Sequence, residues 1–313
     1  MKDFREKLRG DYLLFLLTGA SASSVFIIIG LIVYKLIEGS WLSIQRFGIG
    51  FLIGTEWDPA ISQNFGALPL ISGTLVTSGI ALLIGVPISL GVGLVLSEYM
   101  PRQLSFATSF VIELLAAIPS VIYGLWGIFT LAPFLRDNVY PYLQALLGFT
   151  PLFSGPIYGG GVLTAGIILA IMIIPTISSI SRDVFSAVPN SQREAVISLG
   201  ATRWETVKIV MSYARSGVIG AVLLGLGRAV GETMAVTMVI GNRFQVFPSS
   251  LFDAWYTLAA IIANEFTEAT YDLYLSALIE VGLVLFLFTL MINILARIII
   301  LRALGPMRGI ARE

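Results

Sequence analysis

The chain has 313 residues, of which 57% are hydrophobic and only 12% charged, and its 19 Lys and Arg residues balance 19 Asp and Glu residues. It contains no Cys and no His, which excludes thiol chemistry, disulfides, imidazole-ligated metal sites and a Ser/His/Asp triad. A mean hydropathy of +0.90 is incompatible with a soluble domain of this size, so the composition indicates a polytopic membrane protein.

The apolar runs predict an all-α fold. A polar N-terminal tail, residues 1–11, precedes six runs that are long enough for the roughly 20 residues that cross a bilayer. We therefore expect one transmembrane domain, residues 12–301, followed by a polar tail, residues 302–313. The predicted spans are residues 12–36, 68–96, 106–135, 162–180, 218–240 and 273–301.

Proline residues inside these runs predict kinks. Pro87 and Pro175 lie within the second and fourth predicted spans. The third run is longer than one straight crossing requires and contains Pro119, so we expect it to bend there. Such a bend could turn backbone carbonyl groups toward a cavity.

The distribution of basic residues predicts the orientation. Six spans put both tails on one side of the membrane, and that side carries 14 of the Lys and Arg residues against four on the other. By the positive-inside rule, both termini are expected to be cytoplasmic.

A charged loop, residues 189–213, separates the fourth and fifth predicted spans. Two pairs have the capping-box spacing, Ser191 with Glu194 and Thr202 with Glu205. Gly200 lies between them, where a left-handed residue would end the first helix. We expect a short helix over 192–199, a tight turn, and a second helix from Arg203 into the fifth span. Such a helix pair could dock into a groove on a partner protein.

Charged residues inside the predicted spans are costly unless they face protein or a water-filled path. Arg228 and Glu232 are spaced one helical turn apart in the fifth span. They predict either a neutralised structural ion pair or a guanidinium group that contacts an anion along a path, with Glu232 orienting it. Glu113 and Glu280 have three open interpretations: neutral burial, a hydrogen bond between helices, or a role in the path.

Small residues on the fifth span predict close helix packing. Gly227 and Gly231 form a G-x-x-x-G pattern, and Ala221, Gly225 and Ala229 form a second small face. We therefore expect this span to be central in the bundle.

The charged loop resembles the signature of type I ABC importer permeases, which reads EAA, three residues, Gly, nine residues, then I-x-L-P. Glu194, Ala195 and Val196 stand at the EAA positions, and Gly200 stands at the Gly position. The final Pro is replaced by Tyr213, so the exit of the loop departs from the family pattern.

Within that superfamily the chain is similar to the phosphate-specific, PstC-type permeases over essentially its whole length. Residues 65–74 (FGALPLISGT), 115–127 (LAAIPSVIYGLWG) and 225–235 (GLGRAVGETMA) carry the resemblance, together with Glu280. In that family the Arg and Glu of the third run are regarded as important for transport, and they match Arg228 and Glu232.

The resemblance implies a six-helix permease in the cell (inner or plasma) membrane, surrounded by lipid, that imports inorganic phosphate. It implies a heterodimer with a PstA-type permease, a separate dimeric ATPase subunit that uses ATP, and an extracytoplasmic phosphate-binding protein. The chain has no G-x-x-x-x-G-K-[ST] loop, so we expect it to hold no nucleotide site of its own. We also expect no cofactor, no metal, no catalytic residues and no nucleic acid partner.

Two rival classes share many of these features. A permease for another oxyanion, such as sulfate or molybdate, would differ only in the phosphate-like runs. A proton-coupled secondary transporter could use Glu113, Glu232 and Glu280, but it would have no reason for a docking loop and would usually show inverted repeats.

Overall fold

The computed structural model describes residues 2–244 and 247–304, and helices dominate them. In chain order the α-helices are α1 (Lys2–Phe47), α2 (Gly50–Ile53), α3 (Leu68–Leu94), α4 (Arg102–Ala116), α5 (Ser120–Trp126), α6 (Ala132–Asn138), α7 (Tyr140–Leu147), α8 (Val162–Ser186), α9 (Asn190–Ser198), α10 (Arg203–Gly231), α11 (Met234–Val239), α12 (Leu258–Glu265) and α13 (Asp272–Leu304).

The remaining elements are short. Strands β1 (Trp57–Asp58) and β2 (Asn64–Phe65) pair antiparallel, with Trp57 opposite Phe65. Two π-helical segments, Val95–Tyr99 and Gly127–Leu131, extend α3 and α5, and a 3₁₀ turn covers Pro151–Phe153. Segments with π-helical hydrogen bonding are uncommon and often mark functional positions.

The predicted all-α membrane fold with up to six crossings is confirmed. In the described residues, five helices, within α1, α3, α8, α10 and α13, are long and apolar enough to span a bilayer. A sixth crossing is formed if Arg102–Ala116 and Ser120–Leu147, which meet at 86°, count as one bent span. The expected bend at Pro119 is therefore present, because proline cannot donate to the helical ladder.

Two predicted boundaries differ from the structure. Helix α1 begins at Lys2 and continues to Phe47, so it takes in residues on both sides of the predicted first span. The predicted fifth span, 218–240, is not one helix: α10 already starts at Arg203, ends at Gly231, and is followed by the separate helix α11. The predicted C-terminal tail beyond residue 304 lies outside the described residues.

Helix α8 is the most deeply buried of the long helices in the described residues, and the central position expected for the fifth span stays a prediction. In the most apolar stretch of α8, 67% of the residues are buried, whereas in the most apolar stretch of α10 only 22% are buried. The small face of α10 does pack closely, since a Cβ on Gly225 would lie 2.5 Å from Ile177 of α8. Gly227 and Gly231 point elsewhere, and a Cβ on either would meet nothing within 4 Å.

Candidate functional site

Arg228 lies in the last turn of α10, where its guanidinium group reaches two neighbouring helices. Nη1 donates to the hydroxyl of Thr176 on α8 at 3.0 Å. Both terminal nitrogens lie 3.5 Å from the carbonyl oxygen of Ala116. This carbonyl ends α4 just before the Pro119 break, where the last carbonyls of a helix lack partners in their own helix. The bend thus presents a backbone acceptor to Arg228.

Glu232 does not pair with Arg228, so this predicted pairing is wrong. The helix stops at Gly231, and Glu232 is extended, with ψ of 127°. Its carboxylate instead accepts a hydrogen bond from the Ala235 N–H at 3.3 Å, in the first turn of α11. The one-turn spacing held only for a continuous helix, and the backbone leaves the helix at Glu232. Within the described residues Arg228 therefore has neutral acceptors and no ion-pair partner.

Sequence reasoning missed the neutral groups around Arg228. Thr176 belongs to no motif, although it follows the helix-internal Pro175. Tyr123 lies within electrostatic range of Arg228, and its hydroxyl donates to the Leu115 carbonyl at 3.0 Å. Tyr123 falls inside the 115–127 run that carried the family resemblance, and that run was the one signal that could have identified it.

Glu113 lies on α4, one turn before Ala116, and pairs with a different arginine. Its Oε1 is 3.2 Å from Nη2 of Arg182 on α8, which also contacts Asp183 at 2.6 Å. The Glu113 side chain is half exposed, at 53%, and lines a cavity of about 370 Å³ together with Arg182 and Arg102. Of the three interpretations that the sequence left open, the structure favours a polar link between two helices.

Glu280 lies on α13 and is 6% exposed, with Oε2 lacking a hydrogen-bond partner among the described residues. It lies close to Ser43 of α1, whose backbone N–H is 3.1 Å from the Ser276 hydroxyl on α13. Glu280 therefore belongs to the α1–α13 contact. The structure does not bring Glu280, Glu113, Glu232 and Arg228 into one cluster.

The second half of the charged loop folds as its sequence predicts. Gly200 has φ of +84°, a left-handed conformation that ends the first helix. The Thr202 hydroxyl accepts from the Glu205 N–H at 3.4 Å, and the Glu205 carboxylate accepts from the Thr202 N–H at 2.7 Å. This capping box is confirmed and starts α10. Its hydrogen bonds also hold the pKa of Glu205 below its ordinary value.

The predicted capping box at Ser191 and Glu194 is wrong. The residue preceding the helix is Pro189, which has φ of −58° and ψ of 140° and makes no side-chain cap. Helix α9 starts at Asn190, so Ser191 is already inside it. Glu194 and Ala195 are exposed on this helix, and Glu194 has no hydrogen-bond partner within the described chain. The carboxylate of Glu194 is thus available to another protein.

A half-buried carboxylate joins three elements at the opposite end of the molecule. Glu265, at the end of α12, accepts hydrogen bonds from Trp57 Nε1 and the Tyr274 hydroxyl, both at 2.7 Å. Burial raises the pKa of Glu265 above its ordinary value, and the two hydrogen bonds offset part of that rise. The β1–β2 hairpin, α12 and α13 are joined at this point.

Comparison with known families identifies the class of protein. The sequence profile of the family described as "Binding-protein-dependent transport system inner membrane component" matches residues 85–304. The chain is 50% identical to a protein of Haemophilus influenzae named "Phosphate transport system permease protein PstC", over 90% of each chain. Proteins of the same name are 47% identical in Mesorhizobium japonicum, covering 91% of this chain and 88% of that one, and 46% identical in Xylella fastidiosa, covering 96% and 93%.

Solved structures support the same fold. A chain of a bacterial ABC transporter involved in the import of the acidic polysaccharide alginate aligns with a TM-score of 0.56 and 18% identity, covering 93% of this chain and 97% of that one. A chain of the MetNI methionine ABC transporter, in an inward-facing conformation, aligns with a TM-score of 0.53 and 19% identity, covering 75% and 94%.

Proposed function

The chain belongs to the family of binding-protein-dependent transport system inner membrane components, and on that premise we propose that it is the permease subunit of an ATP-driven importer of inorganic phosphate. It receives phosphate from an extracytoplasmic binding protein and releases it into the cytoplasm. Relatives at 46–50% identity that bear the name of a phosphate transport permease support this substrate.

The observation that carries the proposal is the environment of Arg228. The guanidinium group of Arg228 lies beside a helix break, bonded to a hydroxyl and a backbone carbonyl, and no carboxylate in the described residues competes with an anion for it. Guanidinium groups bind the oxygens of phosphate with matched, charge-assisted geometry. Arg228 thus contacts phosphate briefly on its way through, and Glu232, Glu113 and Glu280 are secondary to it. Glu232 shapes the break, Glu113 holds Arg182, and Glu280 lies between α1 and α13.

The charged loop supplies the coupling to ATP. The exposed helix α9, with Glu194 and Ala195 on its surface, docks into a separate ATPase subunit, present as a dimer. Ser191, Gly200, Thr202 and Glu205 shape the loop for this contact. ATP is bound and hydrolysed there, because this chain has no phosphate-binding loop of the Walker type. Both termini and this loop face the cytoplasm.

A second permease of the PstA type completes the path. Gly227 and Gly231, on the same helix as Arg228, present an open small face where another helix can approach closely. On the other side of the membrane, the loops that include β1–β2 and α12 meet the phosphate-loaded binding protein.

The test is labelled phosphate uptake into proteoliposomes that hold this chain, its partner permease, the ATPase and the binding protein, with ATP enclosed. We expect uptake that stops when the ATPase subunit is disabled by mutation of its nucleotide site. Uptake that persists with the disabled ATPase but follows a proton gradient would identify a secondary transporter. Each anion is also tested with its own binding protein. Uptake of sulfate or molybdate that exceeds phosphate uptake would identify that anion as the substrate.

A further inference from the structure

Arg193 is the one strongly anchored side chain of α9. Its guanidinium group meets the carboxylate of Glu98 twice, with Nε 3.2 Å from Oε2 and Nη2 2.8 Å from Oε1. Only 17% of the Arg193 side chain and 10% of the Glu98 side chain are exposed. Bidentate pairs of this kind are geometrically specific and strong. The contact joins two residues that are 95 positions apart in the sequence.

The same guanidinium group also closes the end of α8. Nη2 donates to the Phe185 carbonyl at 2.8 Å, Nη1 donates to the Val188 carbonyl, and Nη1 lies 3.3 Å from Asn190 Oδ1. Helix α8 ends at Ser186, so the Phe185 carbonyl lies in its last turn and the Val188 carbonyl lies just beyond it, where a cation is favourable. Arg193 is therefore bonded both to α8 and, through Glu98, to the end of α3.

Helix α9 has little other connection to the bundle. None of its residues is buried. A small apolar cluster of Phe185, Val188, Val210 and Ala214 packs the end of α8 against α10, and α9 contributes no residue to it. Helix α9 also contacts α10, but Arg193 is its main attachment to α8 and to the end of α3.

Glu98 lies in the irregular segment that extends α3. The Val95–Tyr99 segment is π-helical, and the Met100 N–H bonds back to the Val95 carbonyl at 2.9 Å. A π-helical turn inserted in a helix is a rare local rearrangement. It occurs here where the second span receives the contact from α9.

We propose that Arg193 and Glu98 form a clamp through which movement of α9 is transmitted to α3 and α8. Arg193 acts as a positioning residue that touches neither phosphate nor nucleotide. The inference rests on the proposed function, because a partner ATPase must move α9. Separating a buried ion pair leaves an uncompensated charge, so the clamp moves as a unit.

The test uses Arg193→Gln, Glu98→Gln and the double variant in the assembled transporter in proteoliposomes. The control is Arg102→Gln, an exposed arginine of α4 that forms no ion pair within the part of the chain that the structure describes. Phosphate uptake, ATP hydrolysis and the amount of ATPase subunit retained are measured together. We expect each single variant to retain the ATPase subunit while phosphate moved per ATP hydrolysed falls by at least about tenfold, because each variant removes at least one charge-assisted hydrogen bond.

The double variant separates a clamp from two independent residues. Partners in one interaction show non-additive losses, so the double variant is expected to be no worse than either single variant. Unchanged coupling in Arg193→Gln, or losses that multiply in the double variant, would overturn the clamp. A wild-type transporter without ATP-dependent uptake would instead overturn the proposed function.

A crosslink between the two positions tests the clamp if the Arg193→Gln variant fails to assemble with its partner subunits. The chain has no Cys, so Glu98→Cys with Arg193→Cys introduces the only two thiols. After assembly, a short bis-maleimide should link them and restore coupling relative to the same protein treated with a monofunctional maleimide. Linked protein that stays uncoupled would contradict transmission through this contact.

Discussion

Arg193 and Arg228 are two guanidinium groups in very different surroundings. Arg193 is held by a carboxylate, two backbone carbonyls and an amide oxygen. Arg228 contacts one hydroxyl at 3.0 Å and one carbonyl at 3.5 Å, and no carboxylate in the described residues. The first group is paired with a carboxylate and its N–H donors are all engaged, whereas the second has unused donors and no carboxylate partner in the described residues.

The difference separates a structural arginine from a transport arginine. An arginine whose donors are all satisfied fixes the elements around it and offers little to a passing anion. An arginine placed beside a helix break by neutral groups can exchange a weak contact for phosphate oxygens. The environment of the guanidinium group, rather than its depth in the membrane, therefore indicates its role.

Among replacements of residues other than Arg228 itself, the largest effect is expected when the neutral support of Arg228 is removed. Thr176→Val deletes the 3.0 Å hydrogen bond, and Thr176→Ser keeps it. A hydrogen bond to a charged group contributes about 1.5–3 kcal/mol, so phosphate uptake should fall about 10- to 100-fold in the Val variant. Initial uptake rates at equal protein abundance provide the measurement. Equal uptake in the Val and Ser variants would show that Thr176 does not position Arg228.

The next effect concerns the two helix starts beside the Arg193 clamp. Thr202→Ala removes an observed capping box and should cost about 1 kcal/mol of stability, while Ser191→Ala removes no cap and should cost almost nothing. Thermal unfolding of the purified chain in detergent compares the two variants. A larger loss from Ser191→Ala would contradict the observed start of α9.

A smaller effect is expected from Glu194→Gln, which tests the exposed side of the helix that Arg193 anchors. Because Glu194 makes no capping bond, its replacement should leave α9 intact and remove only a charge offered to the ATPase. A solvent-accessible ion pair contributes about 0.2–1 kcal/mol, so coupling should fall by at most about fivefold. The readout is phosphate moved per ATP hydrolysed. Full coupling would exclude a charge contact at Glu194.

The smallest effect concerns Glu265, a half-buried carboxylate that accepts hydrogen bonds from neutral donors, whereas Arg228 donates to neutral acceptors. Its raised pKa means that the folded chain binds the proton more tightly than the unfolded chain, so its contribution to stability is present at low pH. That contribution is lost as pH rises from the ordinary pKa, about 4.5, through the raised one. The unfolding temperature of the wild type minus that of the Glu265→Gln variant should decrease as the pH rises through this interval. A difference in unfolding temperature that does not change with pH would contradict the effect of burial on the pKa of Glu265.

Local patterns were predictable where no distant residue intervened. The Thr202–Glu205 box, the left-handed Gly200 and the bend at Pro119 each depend on a few neighbouring residues, and all three are present. The box at Ser191 failed because the helix starts at Asn190, directly after Pro189, so that Ser191 is already inside it. No proline marks the break at Glu232, so the sequence pattern predicted an uninterrupted helix through this residue.

The candidate site was only partly predictable because its partners are distant in sequence. Arg228 was identified from its cost inside a span, but Thr176 is 52 positions away and Ala116 is 112. Glu98 and Arg193 likewise meet only in the folded chain. Charge alone indicated which residues needed partners, and tertiary packing determined what those partners are.

The most direct test of the account compares Arg228→Gln with wild type in proteoliposomes that contain the complete transporter. Phosphate uptake and the stimulation of ATP hydrolysis by the loaded binding protein are measured in the same vesicles. The account predicts that uptake is lost while stimulated hydrolysis persists, because Arg228 contacts the anion and the Arg193 clamp remains intact. Wild-type uptake in the variant would contradict the account and leave Arg228 a structural residue.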